Sequence, residues 1–209
     1  MAVKDNDLVQ IWDGSKIDTK KIDFLRTPTK EVAFPLSNHV KQVVTDLIDT
    51  FRAVPCAGIA ANQLGYDKKI FIGMKHDNDK SVSDDPSKNI DDVKPESENL
   101  EIYINPQIDK TDKSSTQNGE EGCLSIPDIS LELERYDKIK VRYYNQEGKA
   151  IKKPLSGFIS RLFQHELDHL NGNLMLEHEN IRRAKISQKS EEYSDLIRQV
   201  FQYINSAIG

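Results

Sequence analysis

Gln164-His165-Glu166-Leu167-Asp168-His169 is the stretch of this chain best equipped for chemistry. Two histidines four residues apart on a helix are rotated by only about 40° around it and lie roughly 6 Å apart along it, so both imidazoles reach one metal ion. Glu166, one residue past the first histidine, turns far enough off that face to miss the ligand set. It stays close enough to exchange a proton with a water activated there. The H-E-x-x-H pattern arises by chance in a chain of this size on the order of one time in a hundred, so it points to metal-assisted hydrolysis without settling it. Two solvated histidines on a helix surface are the alternative.

Two histidines leave a catalytic ion one protein ligand short, and the third separates the hydrolase classes that share the motif. A histidine six residues past the second one would indicate a metzincin; Gly172 fits that pattern, but position 175 is Met175. Glu191 or Glu192 could serve on spacing alone, as in thermolysin-like peptidases. Cys123 is the better candidate, because a soft thiolate flanked by small residues and followed by a strand can be held rigidly beside two imidazoles.

Several elements must position these groups. Val40, Val43, Val44, Leu47, Ile48, Phe51 and Val54 recur at helical spacing, with Ser37 or Asn38 as cap and Pro55 as stop, which predicts an amphipathic helix of about four turns. Residues 1–35 are expected to lie as an extended arm on the body, its first part being 1–23. Small residues from Cys56 to Ala61 lead to Asn62 and Gln63, and Gly58 permits close backbone approach. Strand character follows at 69–74, 100–104, 131–136, 138–144 and 150–155, with Asn145 to Gly148 as a hairpin turn between the last two. Residues 75–99 read as a long polar insertion and 110–118 as a polar loop. The histidine helix should begin near Ser156 or Gly157 and end around Gly172. Beyond Asn180 a basic start (Arg182, Arg183, Lys185, Lys189) runs into a C-terminal amphipathic helix, 180–209. The fold class is therefore α+β, with antiparallel β-sheets packed around a central metal-binding α-helix and a C-terminal α-helix, in a single catalytic domain, 1–209.

The 209 residues carry a net charge of -5, which argues against a nucleic-acid binder driven by phosphate neutralisation and against specific DNA binding. No apolar run is long enough for a bilayer. Met1 to Asp7 holds three charges and no apolar core, unlike a secretory signal. Cys56 and Cys123 allow one disulfide at most, and none if one is a thiolate ligand, so a cytoplasmic protein is expected.

Three blocks in order, Gly58-Ile59-Ala60-Ala61-Asn62-Gln63, Glu121-Gly122-Cys123-Leu124-Ser125 and Gln164 to His169, resemble the signature motifs of the peptide deformylase family. Leu25-Arg26 with Pro35, the Asn105-Pro106 pair and Arg135 extend the likeness. The resemblance implies removal of the formyl group from the N-terminal formyl-methionine of nascent polypeptides, releasing formate. It implies Cys123, His165 and His169 as ligands of one ion, with a water in the fourth position. Ferrous iron is the implied metal; the same donors accept Zn2+, Ni2+ or Co2+. Glu166 would be the general base and then acid, and Gln63 and the backbone N–H of Leu124 the oxyanion donors. Gly58, Gly122, Phe158 and Leu162 would contact the peptide. Glu121 and Arg135 would brace the cysteine loop, the plainer alternative being a surface ion pair. Asp168 falls off the ligand face, and His39, His76 and His178 belong to no block. The basic tail suggests a transient ribosome contact.

The chain departs from the family pattern in several places, of which Ile59 for a leucine conserves volume and the insertion at 75–99 is longer than usual. Cys56 stands for a glycine and could put a thiol at the rim of the peptide cleft. Ser130 stands where many members carry an arginine. Arg161 falls with Phe158 and Leu162 on the helix face that lines the methionine pocket, where a cation is unexpected. Two rivals remain at this stage: a metallopeptidase using Glu191 or Glu192, and a structural zinc module with four protein ligands.

Overall fold

The computed structural model describes residues 8–12, 16–75, 99–186 and 191–206, the first three residues of the last segment by backbone alone. In chain order the helices are α1 (Thr19–Leu25), α2 (Asn38–Ala53), α3 (Gly157–Asn171) and α4 (Glu191–Ser206). The strands are β1 (Gly58–Ala60), β2 (Ile70–Met74), β3 (Leu100–Thr111), β4 (Thr116–Cys123), β5 (Ile126–Tyr136), β6 (Ile139–Tyr144), β7 (Ala150–Leu155) and β8 (Ile181–Ile186). They form two antiparallel sheets, one ordered β1-β2-β3-β6-β7 and the other β4-β5-β8. Strand alternation makes their faces: in β6, Ile139, Val141 and Tyr143 point inward while Lys140, Arg142 and Tyr144 point out.

Helix α3 joins the sheets. Eleven of its 15 residues are buried, so it is enclosed rather than laid on a surface, and it touches β1 and β2 of one sheet and β5 of the other. Gly172 ends it with φ +77°, and a Cβ there would stand 2.4 Å from the Arg26 carbonyl oxygen, so both the torsion and the space require glycine. Helix α2 is capped by the Ser37 hydroxyl, which accepts from the Val40 N–H, and its apolar stripe packs with β1, β2 and α3 in one hydrophobic core. A second core gathers Ile11, Trp12, Ile22 and Leu25 from the arm with Leu131 and Leu133 of β5 and Leu196, Val200 and Ile204 of α4. The hairpin between β6 and β7 turns at Asn145 to Gly148 as expected, with Gly148 N–H donating to the Asn145 carbonyl and Gly148 at φ +76°.

Three expectations are corrected. The arm is not extended throughout: Asp18 caps α1 by accepting from Lys21 N–H, and Ile22 and Leu25, three apart, bury themselves in the second core. The segment 110–118 is mostly strand, because β3 runs to Thr111 and β4 starts at Thr116; only a tight turn remains, with Asp112 Oδ1 accepting from Ser114 N–H. The chain after Asn180 enters β8 before α4. Its basic residues meet β5 and β4 glutamates: Arg182 with Glu134, Arg183 with Glu132, Lys185 with Glu120. Helical spacing from Tyr193 hid the fact that the outer edge of β5 needs a partner. The insertion expected at 75–99 lies outside the described residues except for its ends, where Lys75 N–H donates to Asn99. No helix among the described residues is long and apolar enough to cross a membrane.

Candidate metal centre

Cys123 at the end of β4 meets His165 and His169 on α3, and their ligand atoms all lie within 4.8 Å of one another. Cys123 Sγ is 3.2 Å from His169 Nε2, and the two imidazole rings are 5.0 Å apart at 74°. One sulfur and two nitrogens at this spacing are a donor set that would hold a transition-metal ion, and among the described residues no further Cys, His, Asp or Glu joins the group. The local field favours a cation too. Burial pushes His165 down, but the Cys123 sulfur and Glu121 outweigh it and hold the imidazole well above its ordinary value, so a metal ion bound here would displace a proton. Burial, then His165 and Arg135, push His169 well below its ordinary value and keep it neutral, as a ligand must be.

Glu121 organises the ligands. Its carboxylate accepts two bonds from Arg135, at 3.0 and 2.9 Å, and one from Arg161 at 2.8 Å, and it lies 2.9 Å from His165 Nδ1. With Nδ1 so engaged, His165 turns Nε2 to the metal position. Glu121 is fully buried. Burial would raise its pKa, but Arg135 and the His165 bond dominate and hold it well below the usual carboxylate range, so it is ionised. Asp168 takes a further bond from Arg135, closing the charge balance of the brace. The surface ion pair considered from sequence is thereby replaced by a buried network.

Gln63 lies on the single 3-10 turn after β1. Its Oε1 accepts from Ala60 N–H at 2.9 Å, which fixes the amide so that Nε2 points at Cys123 Sγ (3.7 Å) and Ser125 Oγ (3.4 Å). Asn62 Nδ2 donates to the His169 carbonyl at 2.7 Å and ties this turn to α3. Leu124 follows Cys123 directly in the tight turn between β4 and β5. Gly58, on the edge strand β1, approaches Glu166 and Leu162 so closely that a Cβ would meet them at 2.6 and 2.7 Å. Gly122 pairs with Ser130 across β4 and β5, and Phe158 is half-buried at the start of α3.

Two departures resolve differently from the sequence reading. Cys56 is fully buried in the first core and adds no thiol to a rim. Arg161 does not face a pocket: its guanidinium turns back to Glu121 and to the carbonyls of Gly119, Leu133 and Gln117. Gly119 makes the room, since a Cβ there would be 2.9 Å from the guanidinium carbon. Helical position gave the face of Arg161, but a long side chain reaches the nearest anion. Ser130 donates to Glu120 at 2.6 Å, and Lys185, opposite it on β8, pairs with the same carboxylate. The sequence reading missed Arg161 as a brace; the glycine four residues before Cys123 was its only signal. Of the histidines outside the motifs, His39 is exposed, His178 is half-buried, and His76 lies outside the described residues.

A family profile described as "Polypeptide deformylase" matches residues 15–186. The chain belongs to the polypeptide deformylase family. Peptide deformylase from Thermotoga sp. (strain RQ2) is 32% identical over 176 residues, covering 84% of this chain and 92% of the relative. That from Aquifex aeolicus (strain VF5) is 30% identical over 176 residues, with the same coverage, 84% and 92%. Among solved structures, the Met-Ala-Ser-bound class I type b peptide deformylase from Acinetobacter baumannii superposes with a TM-score of 0.62 at 32% identity, covering 74% of this chain and 91% of its own. The Thermotoga maritima deformylase gives 0.59 at 31% identity over 79% of this chain and 92% of its own. Membership in the deformylase family brings its reaction: metal-dependent hydrolytic removal of the N-formyl group from nascent peptides.

Proposed function

We propose that this deformylase acts on N-formyl-methionyl peptides with Glu166 as the proton carrier, Gln63 and Leu124 as oxyanion donors, and Cys123, His165 and His169 as holders of a ferrous ion. The observation that carries the reading is the meeting of Cys123, Gln63 and His169 at one point from three distant chain segments, with Glu166 on the same helical turn as both histidines.

A divalent ion held by Cys123, His165 and His169 would supply Lewis acidity for the formyl carbonyl and for the attacking water. Glu166 takes the proton from the attacking water and hands it to the departing amine, so one carboxylate serves as base and then acid. As the formyl carbon becomes tetrahedral, its oxygen gains negative charge. Gln63 Nε2, already oriented by Ala60, and the Leu124 N–H donate to it; removing one such donor costs about 3 to 4 kcal/mol of barrier. The peptide lies extended along β1, whose outer edge has no strand partner among the described residues, and Gly58 lets it approach Glu166. Phe158, Leu162 and Gly122 supply the apolar walls for the methionine side chain.

Cys123 in the ligand set speaks against the glutamate-liganded peptidase, and the three donors that gather among the described residues, which leave out the side chains of Glu191 and Glu192, fall short of the four of a structural zinc module. Zn2+, Ni2+ and Co2+ are substitutes for iron on the same donors. A cytoplasmic site of action fits an enzyme that works on formylated nascent chains. Lys189 of the basic tail lies outside the described residues; of the others, Arg182, Arg183 and Lys185 each face a glutamate, and Arg198 of α4 pairs with Asp195, so these lend a ribosome contact little free charge.

The test is formate release from formyl-Met-Ala-Ser by anaerobic, iron-loaded protein and by its Glu166→Ala variant. Metal retained with release abolished is expected. Equal release from both would remove Glu166 from the mechanism.

A further inference from the structure

The N-terminal arm crosses the two loops that carry the oxyanion donors. Val9 N–H donates to the Gln63 carbonyl at 2.8 Å, Gln10 Nε2 to the Leu124 carbonyl at 3.2 Å, and Ile11 N–H to the Ser125 carbonyl at 2.9 Å. Its ends are anchored in different cores: Leu8 sits in the first, with α2 and β2, while Ile11 and Trp12 sit in the second, with β5 and α4. Three consecutive residues thus tie the Gln63 turn to the Cys123 turn across a seam where the two sheets are not hydrogen-bonded to each other.

We propose that Val9-Gln10-Ile11 is a positioning strap for the oxyanion hole and that Gln10 is its positioning residue. The inference rests on the roles given above to Gln63 and Leu124. The two neighbours of Gln10 bond through their backbones, which substitution leaves intact, whereas Gln10 bonds through its side chain. It fixes the peptide group that follows Leu124, and with the Ser125 carbonyl also held and Cys123 Sγ bonded to Gln63, the turn that presents the Leu124 N–H is held on both sides. Donors that are aimed before reaction need no reorganisation during it. Gln10 is 114 residues along the chain from Leu124, whose carbonyl it holds.

The experiment compares parent, Gln10→Met, which keeps length and loses the donor, and Gln10→Lys, which restores a donor of similar reach, all iron-loaded and assayed with formyl-Met-Ala-Ser. For Gln10→Met, kcat should fall about tenfold, less than for outright loss of a donor, with KM within about twofold. Metal content and unfolding midpoint should match the parent, and Gln10→Lys should recover most of kcat. Unchanged kcat in Gln10→Met, or a fall that tracks metal loss or a lowered midpoint, would overturn the strap. A parent that releases no formate would instead overturn the deformylase reading, so the two failures are distinct.

Discussion

Gly58 and Glu166 are in contact through the absence of a side chain: a methyl group on Gly58 would stand 2.6 Å from Oε1 of Glu166 and 2.7 Å from Cδ1 of Leu162. Strand β1 and helix α3 are therefore packed as closely as backbone and carboxylate allow. A larger residue must displace either the strand that would carry the peptide or the carboxylate that would move the proton.

Gly58→Ala should accordingly lower kcat/KM about a hundredfold, the usual consequence of moving a reacting group by about 1 Å. Metal content should be unchanged, because Cys123, His165 and His169 lie outside the clash. Steady-state kinetics on the iron-loaded variant checks this; activity within twofold of the parent would show that β1 can yield without moving Glu166.

Cys123→Ala should abolish retention of metal through desalting, while the double substitution Glu191→Gln, Glu192→Gln should leave it intact. The sulfur is the one soft donor at the site, and two imidazoles alone hold an ion weakly. Metal analysis of the purified proteins decides it, and the opposite pattern would restore the glutamate-liganded peptidase.

Arg161→Leu should destabilise the protein by about 3 to 5 kcal/mol, the range for removing one partner from a buried ion pair. Glu121 would keep only Arg135 and His165, and the carbonyls of Gly119, Leu133 and Gln117 would lose a common donor. Arg161→Lys should recover only a minor part, because one ammonium cannot replace a planar fork. Urea unfolding measures both; a cost under about 1 kcal/mol would return Arg161 to the weight of a surface pair.

Tyr66 hydrogen-bonds Asp46 at 2.5 Å, and this bond, then burial, pushes the phenol from its ordinary value of 10.0 up to about 12. The folded state favours the neutral phenol, so the contribution is complete below about pH 10 and is lost as pH rises through about 12. Tyr66→Phe should therefore be less stable than the parent at neutral pH, and the gap should close at the alkaline end. Denaturation of both proteins at successive pH values tests this, and a gap independent of pH would refute it.

The sequence alone determined what depends on local spacing. The four-residue interval of His165 and His169, the period of α2 from Val40 to Phe51, a cap at Ser37 or Asn38, the hairpin at Asn145 to Gly148 and the stop near Gly172 are all consequences of neighbours within a turn or two, and all were legible, the choice of Ser37 for the cap excepted. Cys123 could be favoured by chemistry but not placed, because the interval to His169 is closed only when β4 packs on α3. The same holds for the brace: Glu121 chooses Arg135, Arg161 and His165 by proximity in a buried space, and a helical wheel could not show that the guanidinium of Arg161 turns inward. Residues 181–186 became strand because the open edge of β5 offered backbone partners, and that demand is set by another part of the chain. Gln10 carried no pattern at all. Its carbonyl partner is 114 residues away, and only the packing of two cores on either side of the arm brings them together.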